Sequence, residues 1–229
     1  MSIDLAPALR VLGICALIGA LTTFLNTMAP PFYSADSFES SMALIHNPIY
    51  AMRQWVLLVH PVFTLMLPLG MAFALVRRAP GRAASGLIFA GVEKMTEFLL
   101  GVTILFVVNG VWKVDFLATM GTPAAAESRH LIETFNQWLN GIYFLLWAMF
   151  ILSTGLLASA LDRRDRLELS VIVTAGVMIV LTAMMILGNY AGQESWTTPV
   201  IQIAYGPLLT LHRALIGVWL LREARRLRS

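Results

Sequence analysis

At 229 residues, with 58% apolar and only 13% charged side chains, the chain carries about half the charge of a soluble domain, for which about 25% is usual, so its expected surroundings are a lipid bilayer. Its formal charge of +3 comes from basic residues clustered in short connectors rather than along one groove-binding face, which argues against a nucleic-acid partner. One cysteine, Cys15, excludes an internal disulfide, a cysteine-rich metal site and a dithiol redox pair.

Six apolar stretches long enough to cross follow in chain order: about Val11 to Met28, Trp55 to Val76, Ala84 to Val108, Trp138 to Leu161, Leu169 to Asn189 and Val200 to Leu221. The expected fold is all-α, a polytopic transmembrane helix bundle of six spans forming a single domain over 1–229. The segments Pro30 to Arg53, Arg77 to Arg82, Lys113 to Arg129, Asp162 to Glu168 and Gly192 to Pro199 read as connectors bearing glycine, proline and charge. In the first of them, Asp36 or Ser37 is placed to cap a short interfacial helix over Met42 and Ile45. The first span is too long for the apolar core of a signal peptide, about 7 to 15 residues, and is kept as a crossing.

Arg10, Arg77, Arg78, Arg82, Arg163, Arg164, Arg166, Arg222, Arg225, Arg226 and Arg228 fall on one side of these spans; Arg53, Lys113 and Arg129 fall on the other. The positive-inside rule then puts both termini in the cytoplasm. Trp55, Trp112, Trp138 and Trp196 mark the outer helix ends as an interfacial aromatic belt. This describes a multi-pass protein of the inner (cytoplasmic) membrane.

Each ionisable group inside a span costs at least about 2.5–3.5 kcal/mol, so each needs a partner or a purpose. The third span carries Glu93, Lys94 and Glu97, and the sixth carries His212 and Arg213. Counted from the cytoplasmic helix ends at about 1.5 Å per residue, Glu93 and Arg213 lie within a few ångström of one depth. They are expected to pair across the bundle, with Arg213 holding one carboxylate, Lys94 the other, and His212 titrating beside them. Two readings stay open: an ion-pair network that only locks two helices, and a ligand-binding or proton-relay site. Pro61 and Pro68 in the second span, and Gly206 with Pro207 in the sixth, are expected to interrupt their helices near this layer.

A second, outer polar layer is formed by His60, Asn109, His130, Glu133, Asn136 or Gln137, Asn140, Asn189, Tyr190, Gln202 and Tyr205. It reads either as interhelical hydrogen bonding or as a water-filled vestibule leading to Glu97, with the stripe from His130 to Asn140 as its wall. No cofactor is expected. The metal arrangement weighed is His130 with Glu133 plus His46 or His60, and the haem arrangement is His60 with His130. No nucleophile elbow, phosphate-cradling glycine loop or zincin motif is present.

Arg10 followed by Gly13 at the head of the first span, the long outer loop, and the third-span run Gly91, Val92, Glu93, Lys94, Met95, Thr96, Glu97 resemble a broad group of bacterial six-helix integral membrane proteins of unknown function. The group's pattern is a glycine, a basic residue and a glutamate three further on; here Lys94 stands where arginine is expected, and Glu93 is an added acid. The resemblance implies the fold, a bacterial inner membrane and the importance of Lys94 and Glu97, and supplies no chemistry. The leading expectation is a buried charged cavity that binds or moves a small molecule or protons. The alternatives are an accessory or structural subunit of a membrane complex, and a membrane-embedded lipid-modifying enzyme or haem protein. The expected partners are the lipid bilayer, a small-molecule or lipid ligand, and either further copies of the chain or another membrane subunit.

Overall fold

The computed structural model describes residues 5–28, 33, 35–192 and 199–228, and the side chains of all of these but 28 and 199–202. Among them no strand forms; the protein is all-α, and six helices are long and apolar enough to cross a membrane. They are α1 (Leu5–Met28), α3 (Pro48–Leu75), α4 (Pro80–Val102), α6 (Pro123–Ala158), α7 (Arg166–Tyr190) and α8 (Pro199–Arg226). Short α2 (Phe38–Ala43) precedes α3, and a π-helical stretch, Thr103–Trp112, carries α4 without a break into α5 (Lys113–Ala118).

Helix starts are written locally. Ser37 caps α2, its hydroxyl accepting from the Ser40 amide while the Ser40 hydroxyl accepts from the Ser37 amide, a reciprocal cap that satisfies two otherwise orphaned donors. Asn47 Oδ1 accepts from the amides of Ile49 and Tyr50 at the head of α3, and Asp165 does the same for α7. Pro48, Pro80 and Pro123 stand in first turns, where an amide has no intrahelical acceptor to lose.

The helices overrun the apolar windows that announce them. With 36 residues, α6 extends roughly 54 Å at 1.5 Å per residue, against a hydrocarbon core of about 30 Å. Lys113 to Arg129 is therefore no open loop but α5 and the start of α6, and the stretch before Arg53 contains α2 and the first turn of α3. Hydropathy measures apolar length, whereas these turns are held by caps and by Met42, Phe116, Ala125 and Ile132 packing on one another. The expected interruptions also do not occur: α3 runs through Pro61 and Pro68, and α8 through Pro207.

Each span packs on its sequence neighbours and α8 closes onto α1, so the six form a ring in chain order. The α1–α8 seam is the closest. A Cβ on Gly13 would lie 3.2 Å from the Gly217 carbonyl, one on Gly217 the same distance from the Gly13 carbonyl, and one on Gly206 only 2.6 Å from Thr27 Cβ; small residues permit such an approach. At the end where Arg10 meets Arg225, here the basic end, Leu9, Leu75, Val171, Trp219 and Leu220 form the main apolar core. The opposite, capped end carries α2, α5 and the first turns of α6. Trp55 (54% exposed) and Trp138 (60%) are exposed on the flank of the bundle; Trp112 instead packs edge-to-face on Phe135. Trp196 and the side chain of Gln202 lie outside the described residues.

The basic end is tied together by acids. Buried Glu168 accepts from Arg78 at 2.8 Å, from Trp219 Nε1 at 3.2 Å and from the Asp162 amide. Asp165 takes Arg222 at 2.7 Å and Arg226 at 3.1 Å. The Arg222 hydrogen bond, with the Glu168 amide behind it, holds the Asp165 carboxyl well below the usual carboxylate range.

Candidate functional site

Three charges of α4 form one clamp. Lys94 Nζ lies 2.6 Å from Glu93 Oε1 and 2.8 Å from Glu97 Oε2. Glu93 and Lys94 are buried inside the ring, and Glu97 is three-quarters buried. The spacing explains the clamp: Glu97 is three residues on from Lys94, on the adjoining turn, and the long lysine stem reaches back to Glu93 as well.

Arg213 does not take a carboxylate, contrary to the expected pairing across the bundle. Its Nη1 donates to Thr23 Oγ1 at 2.5 Å and to His60 Nε2 at 2.8 Å. The reason is the ring: α4 and α8 are not neighbours in it, so a direct pair would have to cross the lumen, whereas Lys94 serves both acids from their own helix. Because a guanidinium can only donate, His60 Nε2 must be the acceptor. The His60 proton is then on Nδ1, which donates to Thr22 Oγ1 at 2.7 Å. The hydroxyls of Thr22 and Thr23 in turn donate to the Gly19 carbonyl at 3.0 Å and 2.7 Å, leaving their lone pairs for His60 and Arg213. Glu97 Oε1 waits 3.7 Å from the same His60 Nε2.

These groups separate two cavities. Toward the capped end lies one of about 200 Å³, bounded by the clamp, His60, Arg213, Asn26 and an aromatic wall of Tyr143, Trp147 and Tyr205. Toward the basic end lies a crevice of about 50 Å³, in which Glu93, Lys94 and Arg213 meet His212, Ser153 and Thr64. Glu93, Lys94 and Arg213 face both. His212 forms no ion pair with the clamp; its Nδ1 lies 2.9 Å from Thr174 Oγ1. Asn26 lines the larger cavity, while its Oδ1 is turned away from accessible space and has no hydrogen-bond partner.

The outer layer divides. His60 and Tyr205 belong to the larger cavity, with the Tyr205 hydroxyl 3.2 Å from Thr182. Asn109 is buried elsewhere, accepting from Tyr50 at 3.1 Å. His130, Glu133, Asn136, Gln137 and Asn140 are exposed, Glu133 pairing with Arg129 at 2.8 Å, so the stripe is not a vestibule wall. Asn189 is exposed and donates to the Met185 carbonyl of its own helix; the Tyr190 hydroxyl donates to the Asn140 carbonyl. Tyr143 and Trp147 of α6, which do line the larger cavity, continue the same stripe about one and two turns beyond Asn140. Both His60 ring nitrogens are engaged in hydrogen bonds, and His130 is exposed toward the capped end. Among the described residues no three histidine, cysteine or acidic side chains come together to hold a metal.

The residues missed from sequence are Thr22, Thr23 and Asn26 of α1 and Tyr143 and Trp147 of α6. Their signal was present in part, as three polar residues within two turns of an otherwise apolar span. Compared with known proteins, the chain matches no protein family, no curated protein and no solved structure.

Proposed function

We propose that this protein binds a small solute carrying an anionic group in the larger cavity and moves it, together with protons, past the charged partition. The observation that carries the reading is the position of His60 Nε2, 2.8 Å from Arg213 and 3.7 Å from Glu97. While unprotonated, Nε2 accepts from Arg213. A proton there turns the acceptor into a donor, ends the bond to Arg213 and favours Glu97, so the guanidinium is freed toward the cavity as the imidazolium is captured. The charged groups around His60 are Arg213 from α8 and Glu93, Lys94 and Glu97 from α4; α1 offers only the neutral hydroxyls of Thr22 and Thr23. Protonation and anion capture would thus be coupled, which a purely structural ion-pair lock does not require.

In this reading the basic end faces the cytoplasm, the capped end faces outward, and the protein resides in the inner membrane, in keeping with eleven basic connector and terminal residues against three. The test is reconstitution into liposomes enclosing a pH-sensitive dye, with succinate, glutamate or inorganic phosphate supplied outside. The expected result is solute-dependent proton influx in the wild type that His60→Gln, Arg213→Gln and Glu97→Gln each abolish while folded protein is retained. Identical dye responses with and without protein for every solute, and solute-independent stability of the purified protein, would sink the proposal.

A further inference from the structure

At the capped end, away from the charged partition, a second polar group is left incomplete. Lys113, 7% exposed, has no carboxylate within 4.0 Å among the described residues. Its Nζ donates to the Tyr50 hydroxyl at 3.0 Å and to the Ser41 carbonyl at 3.4 Å, and stands 5.0 Å from the centre of the Tyr50 ring. A lysine ammonium can only donate, so the Tyr50 proton must point elsewhere, and it goes to Asn109 Oδ1 at 3.1 Å. The chain of bonds therefore has one direction, from Lys113 through Tyr50 to the Asn109 carbonyl oxygen, and it fixes which end of the amide is Nδ2. That Nδ2 is buried and has no acceptor, on a residue only 9% exposed.

A cation without a counter-ion and an orphaned donor at the end of a polarised chain are each costly in a low-dielectric setting, and both costs fall when one oxyanion arrives. Space for it exists. Asn109 lines a crevice of about 190 Å³ together with Tyr50, Gln54, Trp55, Leu105 and Gly110. Trp55, one of its lining residues, packs edge-to-face on Phe106 at 6.0 Å, and both rings are about half exposed on the flank of the bundle. The π-helical winding of Thr103–Trp112 belongs to this place: it advances fewer degrees per residue than an α-helix and so turns Asn109 in toward α3, a kind of irregularity that tends to occur at functional sites.

We infer that the crevice between α3 and the π-helical stretch, with Asn109 at its base and Lys113 behind Tyr50, is a binding site for a phosphate oxyanion at the membrane interface. A phospholipid headgroup and free phosphate share this chemistry, and the exposed Trp55 ring beside the crevice suits the former. The site uses none of the groups of the proposed solute pathway.

The probes are phosphatidylglycerol, phosphatidylcholine and inorganic phosphate. Native mass spectrometry of detergent-purified protein should show a retained phospholipid under stepwise delipidation. Asn109→Asp keeps the oxygen that Tyr50 needs but replaces the donor with an anion. It should weaken retention more than about tenfold, as loss of a hydrogen bond to a charged group implies, and Lys113→Met should act in the same direction. The folding control is an unchanged elution volume and helical circular dichroism of Asn109→Asp. A melting temperature raised by phosphate but not by chloride, in lipid-free protein and lost in Asn109→Asp, would assign free phosphate as the source. Equal lipid retention by wild type and Asn109→Asp, with no phosphate-specific stabilisation of either, would overturn the inference.

Discussion

Lys94→Met preserves most of the side chain's length and packing but removes the ammonium that lies 2.6 Å and 2.8 Å from two carboxylates. Two unit charges 4 Å apart interact by about 4 kcal/mol at an effective dielectric near 20, and removing one partner of a buried pair costs about 3–5 kcal/mol. Arg213 forms no ion pair with either acid, and its Nη1 is already held by His60 at 2.8 Å and Thr23 at 2.5 Å. The expected loss is therefore about 3–5 kcal/mol, or roughly 6–20 °C in Tm for a chain of this size. Thermal unfolding followed by tryptophan fluorescence in a mild detergent reads it directly. Adding Glu93→Gln to Lys94→Met should recover a substantial part, because one uncompensated carboxylate goes with it. A single variant melting within about 2 °C of the wild type, or a loss that the second substitution leaves unchanged, would refute the reasoning: cavity water, and not Lys94, would then be what compensates the acids.

Asp165 has a folded-state pKa below its unfolded one, so its charge adds stability above about pH 4 that is lost as pH falls through the folded value. Asp165→Asn, which keeps a capping oxygen, should accordingly melt below the wild type at pH 7, with the gap closing on acidification; a gap constant with pH would contradict the Arg222 and Arg226 pairing. Gly206→Ala forces a methyl toward Thr27 Cβ at 2.6 Å and should cost about 1–3 kcal/mol, whereas Gly176→Ala meets nothing within 4 Å and should be neutral or stabilising by up to about 1 kcal/mol. Paired melting curves test this, and equal effects at the two sites would refute the close α1–α8 seam. The exposed Arg129–Glu133 pair, at 2.8 Å, should show no coupling beyond experimental error in a double-mutant cycle read by melting temperature, because solvent screens it.

How far the site could be read in advance differs residue by residue. Glu93, Lys94, Glu97 and Arg213 stand out because a charge within an apolar stretch is conspicuous whatever surrounds it. Thr22 and Thr23 do not, since hydroxyls can satisfy themselves on the preceding turn, and both do so on Gly19. Only the arrival of His60 and Arg213 from two other helices turns them into acceptors. His60 was grouped with an outer polar layer because its height along α3 differs from that of His212 on α8; its long guanidinium partner bridges that difference.

Composition and the spacing of apolar runs were enough to establish an all-α chain with six helices suited to crossing a membrane, because the hydrocarbon thickness sets the length of each run. They could not decide how far along a stripe the lumen begins. On α6 His130, Glu133 and Asn140 lie exposed, while Tyr143 and Trp147, about one and two turns beyond Asn140 on the same face, line the cavity. Periodicity gives an angle around one helix axis, but the lumen is defined only when six axes close on one another. For the same reason the partner of each buried charge belongs to the ring: Lys94 holds both acids, and Arg213 holds a histidine.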